Sequence, residues 1–138
     1  MGLLKKLFKP KQVFNTSEII NQIDYKEGTL FAKNDTNKIY IDIEELGGFP
    51  YLKTIIIGDT KTKIKRNGCI ISFVLNNEEI SLNSDNTTVE SNEINKSGVF
   101  YTPIDFELNE KEVKKIQSNK VNEVKYTFKN NIVTFKTI

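Results

Sequence analysis

From about residue 29 onward, apolar and polar residues alternate along the chain, which is the period of strands buried on one face. In KIYIDIEEL, Ile39, Ile41 and Ile43 face one way while Tyr40, Asp42 and Glu44 face the other. TIIIG, residues 54–58, adds a β-branched run ended by glycine. KTKIKRNGCIISFVLNNEEISLNSD reads as three successive strands. Asn67-Gly68 predicts a type I′ hairpin turn between the first two, because both residues tolerate positive φ; Asn76, Asn77 and Glu78 supply the second turn. CIISFVL is apolar on both faces, which predicts a central strand.

Residues 83–97 are polar, with one short strand expected around Thr87 to Glu90 and otherwise an exposed edge or loop. GVFYTPIDFEL returns to β, but Pro103 has no N–H for a ladder, so this strand is expected at an edge or broken by a bulge. VNEVKYTF and NIVTFKT form a closing hairpin about Asn130-Asn131.

Two stretches carry helix-start chemistry. In FNTSEIINQID, Asn15 caps, Glu18 reaches back, Phe14 closes over Ile19, and Ile19, Ile20 and Ile23 share a face. In NEKEVKKIQSNK, Asn109 caps, Glu112 holds the capping-box position, and Val113 and Ile116 form the apolar stripe. About nine strands and two short helices in hairpin-connected order predict a mainly β fold, an antiparallel sandwich or partly open barrel. The expected organisation is a basic amphipathic arm over residues 1–11 and a single β-rich domain over 12–138.

Composition narrows the chemistry. A chain of 138 residues, 38% hydrophobic and 28% charged, suits one soluble domain with its own core. No histidine is present, which removes Ser/His and Cys/His nucleophile systems and the usual zinc and non-haem iron sites. The single cysteine, Cys69, sits in an apolar run and reads as a small buried hydrophobe. The acidic pairs Asp105/Glu107, Glu44/Glu45 and Glu78/Glu79 read as solvated faces. NSDN at 83–86 and KNDTNK at 33–38 lack calcium-loop spacing and read as turns. Gly47-Gly48 matches no phosphate-binding loop. No catalytic residue, metal ligand or cofactor is expected.

Charge is unevenly placed. Lys5, Lys6, Lys9 and Lys11 exceed the net +2 of the whole chain and leave the remainder at −2, so any basic function is expected to belong to the arm. Arg66 is the only arginine. Both points argue against a nucleic-acid partner. Lys5 and Lys6 interrupt the apolar run that a secretion signal needs, and cytoplasmic residence is the expectation.

Three partner-binding stretches emerge. In a helical arm, Leu3, Leu4, Leu7 and Phe8 cluster opposite Lys5, Lys6 and Lys9, a pattern suited to the protein's own body, a second copy, a protein partner or weak contact with an anionic membrane. In EELGGFPYLK, Phe49 and Tyr51 follow a flexible glycine pair; exposed they are contact anchors, although such aromatics more often fold back to plug the end of the sheets. Tyr101 lies on the edge-like strand. The expected function is a non-enzymatic cytoplasmic module that recognises another macromolecule through loops or a strand edge. The alternatives are a ligand carrier or enzyme with a pocket lined by tyrosine and carboxylates, and a peripheral membrane protein attached through the arm.

Overall fold

The computed structural model describes residue 25 and residues 27–138. The basic arm with Leu3, Leu4, Lys5, Lys6, Leu7 and Phe8, and the expected first helix, lie outside the described residues. The remainder forms β1 (Leu30–Lys33), β2 (Asn37–Leu46), β3 (Phe49–Gly58), β4 (Lys63–Ile64), β5 (Ile70–Val74), β6 (Glu79–Asn83), β7 (Val89–Glu90), β8 (Asn92–Glu93), β9 (Phe100–Glu107), α1 (Glu110–Ser118), β10 (Glu123–Phe128) and β11 (Asn131–Thr137). Nine strands make one antiparallel sheet in the order β6-β5-β10-β11-β1-β2-β3-β9-β8, curled into a half-barrel, and β4 and β7 make a separate pair.

The expected mainly β antiparallel fold is the one found, with eleven strands among the described residues in place of about nine. The alternation in β2 and β3 places Ile39, Leu52 and Ile56 in the interior beside Ile104, Phe106, Phe73, Tyr126 and Phe135, all nearly or fully buried. CIISFVL does run between two partners, β6 and β10. Its second face is less covered than an apolar run implies: Ile70 is exposed and Val74 half-buried. A second apolar cluster, Tyr40, Ile55, Ile57 and Val99, lies on the outer face, with Tyr25 and Ile94 packed against it.

The Asn67-Gly68 hairpin is not formed. Both residues do take positive φ, 67° and 54°, but β4 pairs with β7 and β5 pairs with β6 and β10, so the turn is a corner between two sheets. At this corner the Gly68 amide donates to the Thr87 carbonyl, and a Cβ there would run into Ser84 Oγ and the Asn86 carbonyl. Local φ preference set the turn's shape, while burial of Ile64 and Val89 in the main core decided which strands pair.

The strand of Pro103 is neither an edge strand nor bulged: β9 lies between β3 and β8 and pairs with β3 in unbroken register from Tyr51↔Glu107 to Gly58↔Phe100. The other side of β9 is occupied at both ends, by β8 opposite Phe100 and Tyr101 and by a bridge between Ser84 and Phe106. The proline fills the gap between them, where no ladder bond is made. The expected open edge at GVFYTP is therefore largely covered.

Helix α1 forms with the anticipated capping box: Asn109 Oδ1 accepts from the Glu112 amide at 2.8 Å, and Glu112 Oε1 accepts from the Asn109 amide at 2.8 Å. Ile116 is its buried anchor, and Lys115 donates to Glu78 at 3.0 Å in the β5–β6 turn. The helix thus links β9 to β10 across the β5–β6 end of the half-barrel. Among the described residues no helix is long and apolar enough to cross a membrane.

Two core positions yield measurable expectations. The Tyr126 hydroxyl is fully buried and has no hydrogen-bond partner among the described residues; the neighbouring Thr54 hydroxyl donates its proton to the Ile104 carbonyl at 2.7 Å. Burial raises the phenol's pKa well above its ordinary value, with Thr54 acting in the opposite direction. Tyr126→Phe removes a hydroxyl that gains little from its site, so urea unfolding is expected to show a loss of no more than about 1 kcal/mol, or a gain. Gly68→Ala adds a left-handed strain of about 1–2 kcal/mol to the clash with Ser84 Oγ and the Asn86 carbonyl, and is expected to cost more than the strain alone in the same measurement.

Candidate functional site

The β2–β3 hairpin is the longest in the fold, ten residues on each arm, and Gly47 and Gly48 make its two-residue turn with φ of 61° and 85°. Two consecutive positive φ values match the twist of the flanking strands, so the glycine pair holds a tight turn. Consequently EELGGFPYLK is hairpin, and its apolar residues are held out on a regular ladder.

Leu46 and Phe49 face each other across the last rung and are each 76% exposed. Phe49 does not fold back over the sheet end, because the rung directs its side chain to the outer face beyond the reach of the core. Pro50, Tyr51 and Leu108 continue the surface from this tip, and with Asp85, Asp105 and Glu107 they line an open cleft of about 370 Å³. Leu108 is buried beneath it.

Register explains the acidity beside the apolar tip. On the outer face, Glu44, Tyr51 and Glu107 form one cross-strand row, and Asp42, Lys53 and Asp105 the next. Tyr51 donates its phenol to Glu44 Oε1 at 2.8 Å, and this bond, with smaller contributions from burial and the charges of Glu44 and Asp105, raises the phenol's pKa. Asp85 joins from the segment after β6: its amide donates to the Asp105 carbonyl at 2.7 Å, and Asn86 Oδ1 accepts from the Asp105 amide at 2.9 Å.

Asp105 departs from the solvated-face expectation. Burial raises its pKa, Lys53 opposes this, and the nearby charges of Asp85 and Glu44 raise it further. The Asp105 carboxylate is thus partly desolvated, a condition that an approaching cation offsets. Among the described residues no group of three or more candidate ligands is placed to hold a metal ion.

Of the expected contact residues, Phe49 and Tyr51 come together here. Tyr101 is 38% exposed but lies six residues along β9 from Glu107, roughly 20 Å away at about 3.3 Å per residue. The sequence reading missed Leu46, Asp85 and Leu108 as parts of one surface. Leu46 left a signal: it is the apolar member of the outward series Asp42, Glu44, Leu46. Asp85 left none, since its position depends on contact between segments 20 residues apart.

Basic charge is not confined to the arm. Lys63, Lys65, Arg66 and Lys129 surround a concavity of about 460 Å³ at the opposite end of the half-barrel. Glu90 lies 3.8 Å from Lys63 there, so this basic cluster is partly compensated. Comparison with family models, curated proteins and solved structures finds no match for this chain.

The raised carboxyl of Asp105 has a signed consequence. The native state keeps this proton at pH values where the unfolded chain has released it, so the group's contribution to stability falls as pH rises from the ordinary 3.8 through the raised value. Asp105→Asn is expected to raise thermal stability at pH 7, by less than about 1 kcal/mol because solvent screens a partly exposed group, and to give no gain at pH 3.5. Thermal melts at the two pH values check this.

Proposed function

We propose that this protein is a non-enzymatic binding module whose contact surface is the β2–β3 hairpin tip, and that it recognises a protein segment combining apolar and basic side chains. The observation carrying this reading is the exposure of Leu46 and Phe49 side by side, next to a cleft lined by Asp85, Asp105 and Glu107. Large apolar side chains held 76% exposed on a rigid hairpin contribute nothing to the core. Desolvating them against a partner supplies affinity, and the carboxylates beside them select positive charge.

A Tyr/carboxylate-lined pocket has weaker support, because Tyr126, Phe73, Phe106 and Phe135 fill the interior and the cleft is open to solvent. Strand addition at β9 is likewise less supported, since β8 and Ser84 already occupy much of that edge.

A fluorescently labelled peptide of interleaved leucine and lysine is a defined probe of this surface. In anisotropy titrations the full chain is expected to bind it, and Leu46→Ser with Phe49→Ser to weaken binding at least about tenfold while unfolding as the unsubstituted chain does. The same peptide with glutamate in place of lysine is expected not to bind. Equal binding of both peptides, or no effect of the double substitution, overturns the reading.

A further inference from the structure

The acidic, apolar cleft has a complementary segment in the same chain. Residues 2–11 present Leu3, Leu4, Leu7 and Phe8 together with Lys5, Lys6, Lys9 and Lys11. The cleft presents Leu46, Phe49 and Pro50 with Asp85, Asp105 and Glu107, and Glu44 stands on the adjoining row. Both chemistries, apolar contact and opposite charge, therefore match.

The chain's path brings this segment near. Thr29 donates its amide and hydroxyl to Asp42 on the outer face, at 3.0 and 2.8 Å. Tyr25 then packs edge-on against Tyr40, with ring centroids 5.2 Å apart. The described chain thus reaches the outer face of β2 heading back towards the N-terminus. Tyr40 and Glu44 lie four residues apart on β2, roughly 13 Å along the strand, on the same face. The 13 residues from 12 to 24 separate the arm from Tyr25. They span about 43 Å if extended and roughly 25 Å with a ten-residue helix among them, so the cleft is within reach in either case.

We infer that the N-terminal arm, residues 2–11, is a tethered ligand of this cleft: its leucines and Phe8 cover Leu46 and Phe49, and its lysines face Asp85, Asp105 and Glu107. This inference rests on the proposed contact surface and adds its regulation. A tethered segment acts at an effective concentration of order millimolar. Even a weak intrinsic contact then screens the tip, and an external partner must displace the arm. A membrane is a poor occupant of the same surface, because anionic lipid and the cleft carry the same sign.

The test uses the full chain with Gly2→Cys, which leaves every leucine and lysine of the arm in place, carrying a nitroxide label. Cys69 is 3% exposed, and burial pushes its thiol up to about 12, so the label goes to position 2. Amide signals of residues 46–51 and 105–108 are expected to lose more than half their intensity to the nitroxide, while residues 129–132 at the opposite end keep theirs. Asp105→Asn with Glu107→Gln, or 0.5 M NaCl, is expected to restore at least half of the loss. Undiminished signals at 46–51, or a loss centred elsewhere, overturn the inference. So does a loss that persists when the label and the isotope are on different molecules, since the ligand is then the arm of a second copy. The leucine-lysine peptide separates the two readings: peptide binding that depends on Leu46 and Phe49, without broadening by the label, leaves the surface standing and removes the arm from it.

Discussion

The short seam between residues 84–86 and β9 determines the shape of everything around it. Ser84 bridges to Phe106, the Asp85 amide bonds the Asp105 carbonyl, and Asn86 receives the Asp105 amide. Ser84 also accepts from the Cys69 amide at 3.0 Å and donates to the Asn86 carbonyl at 2.6 Å, which ties the seam to the start of β5. These bonds draw the β6 end of a nine-stranded sheet against β9, near its other end, and hold the half-barrel curled. Gly68 is required there because a side chain would occupy the space the seam needs.

The candidate site is a by-product of the same closure. Without it, Asp85 would be an ordinary residue in a polar loop, and Asp105 would face water as Glu107 does in the same alternating strand. With it, three carboxylates converge beside a hairpin whose glycine turn holds Leu46 and Phe49 outward. The desolvation of Asp105 is a cost that the fold tolerates, and surfaces that carry such costs are candidates for binding because a partner's cation relieves them. At the opposite end Lys63, Lys65, Arg66 and Lys129 gather around a second concavity, with Glu90 3.8 Å from Lys63.

Much of the fold is legible in local pattern. The capping box of α1, the alternation of β2 and β9, and the closing β10–β11 hairpin each depend on residues within a few positions of one another, and each forms, the hairpin with its turn at Lys129-Asn130, one residue before the expected Asn130-Asn131. The Asn67-Gly68 corner shows where such reading stops. Its positive φ values follow from the residue types, but whether β4 turns back on β5 or pairs with β7 depends on where Ile64 finds a partner in the core. Phe49 shows the same limit at the surface: a hydrophobic aromatic defaults to the interior, and only the length and register of the hairpin carry it past the sheet's edge.

Residue types and their spacing determined the strands, the capped helix, the exclusion of histidine chemistry, and the basic and apolar character of the arm. All of these are properties of the covalent chain or of interactions within one turn or hairpin. Tertiary structure alone decided the curl of the sheet, the pairing of β4 with β7, the gathering of Lys63, Lys65, Arg66 and Lys129 around one concavity, and the meeting of Asp85 with Asp105 below Leu46 and Phe49. Those depend on contacts between segments far apart in the chain, where many pairings satisfy the same alternation and the shared core selects one.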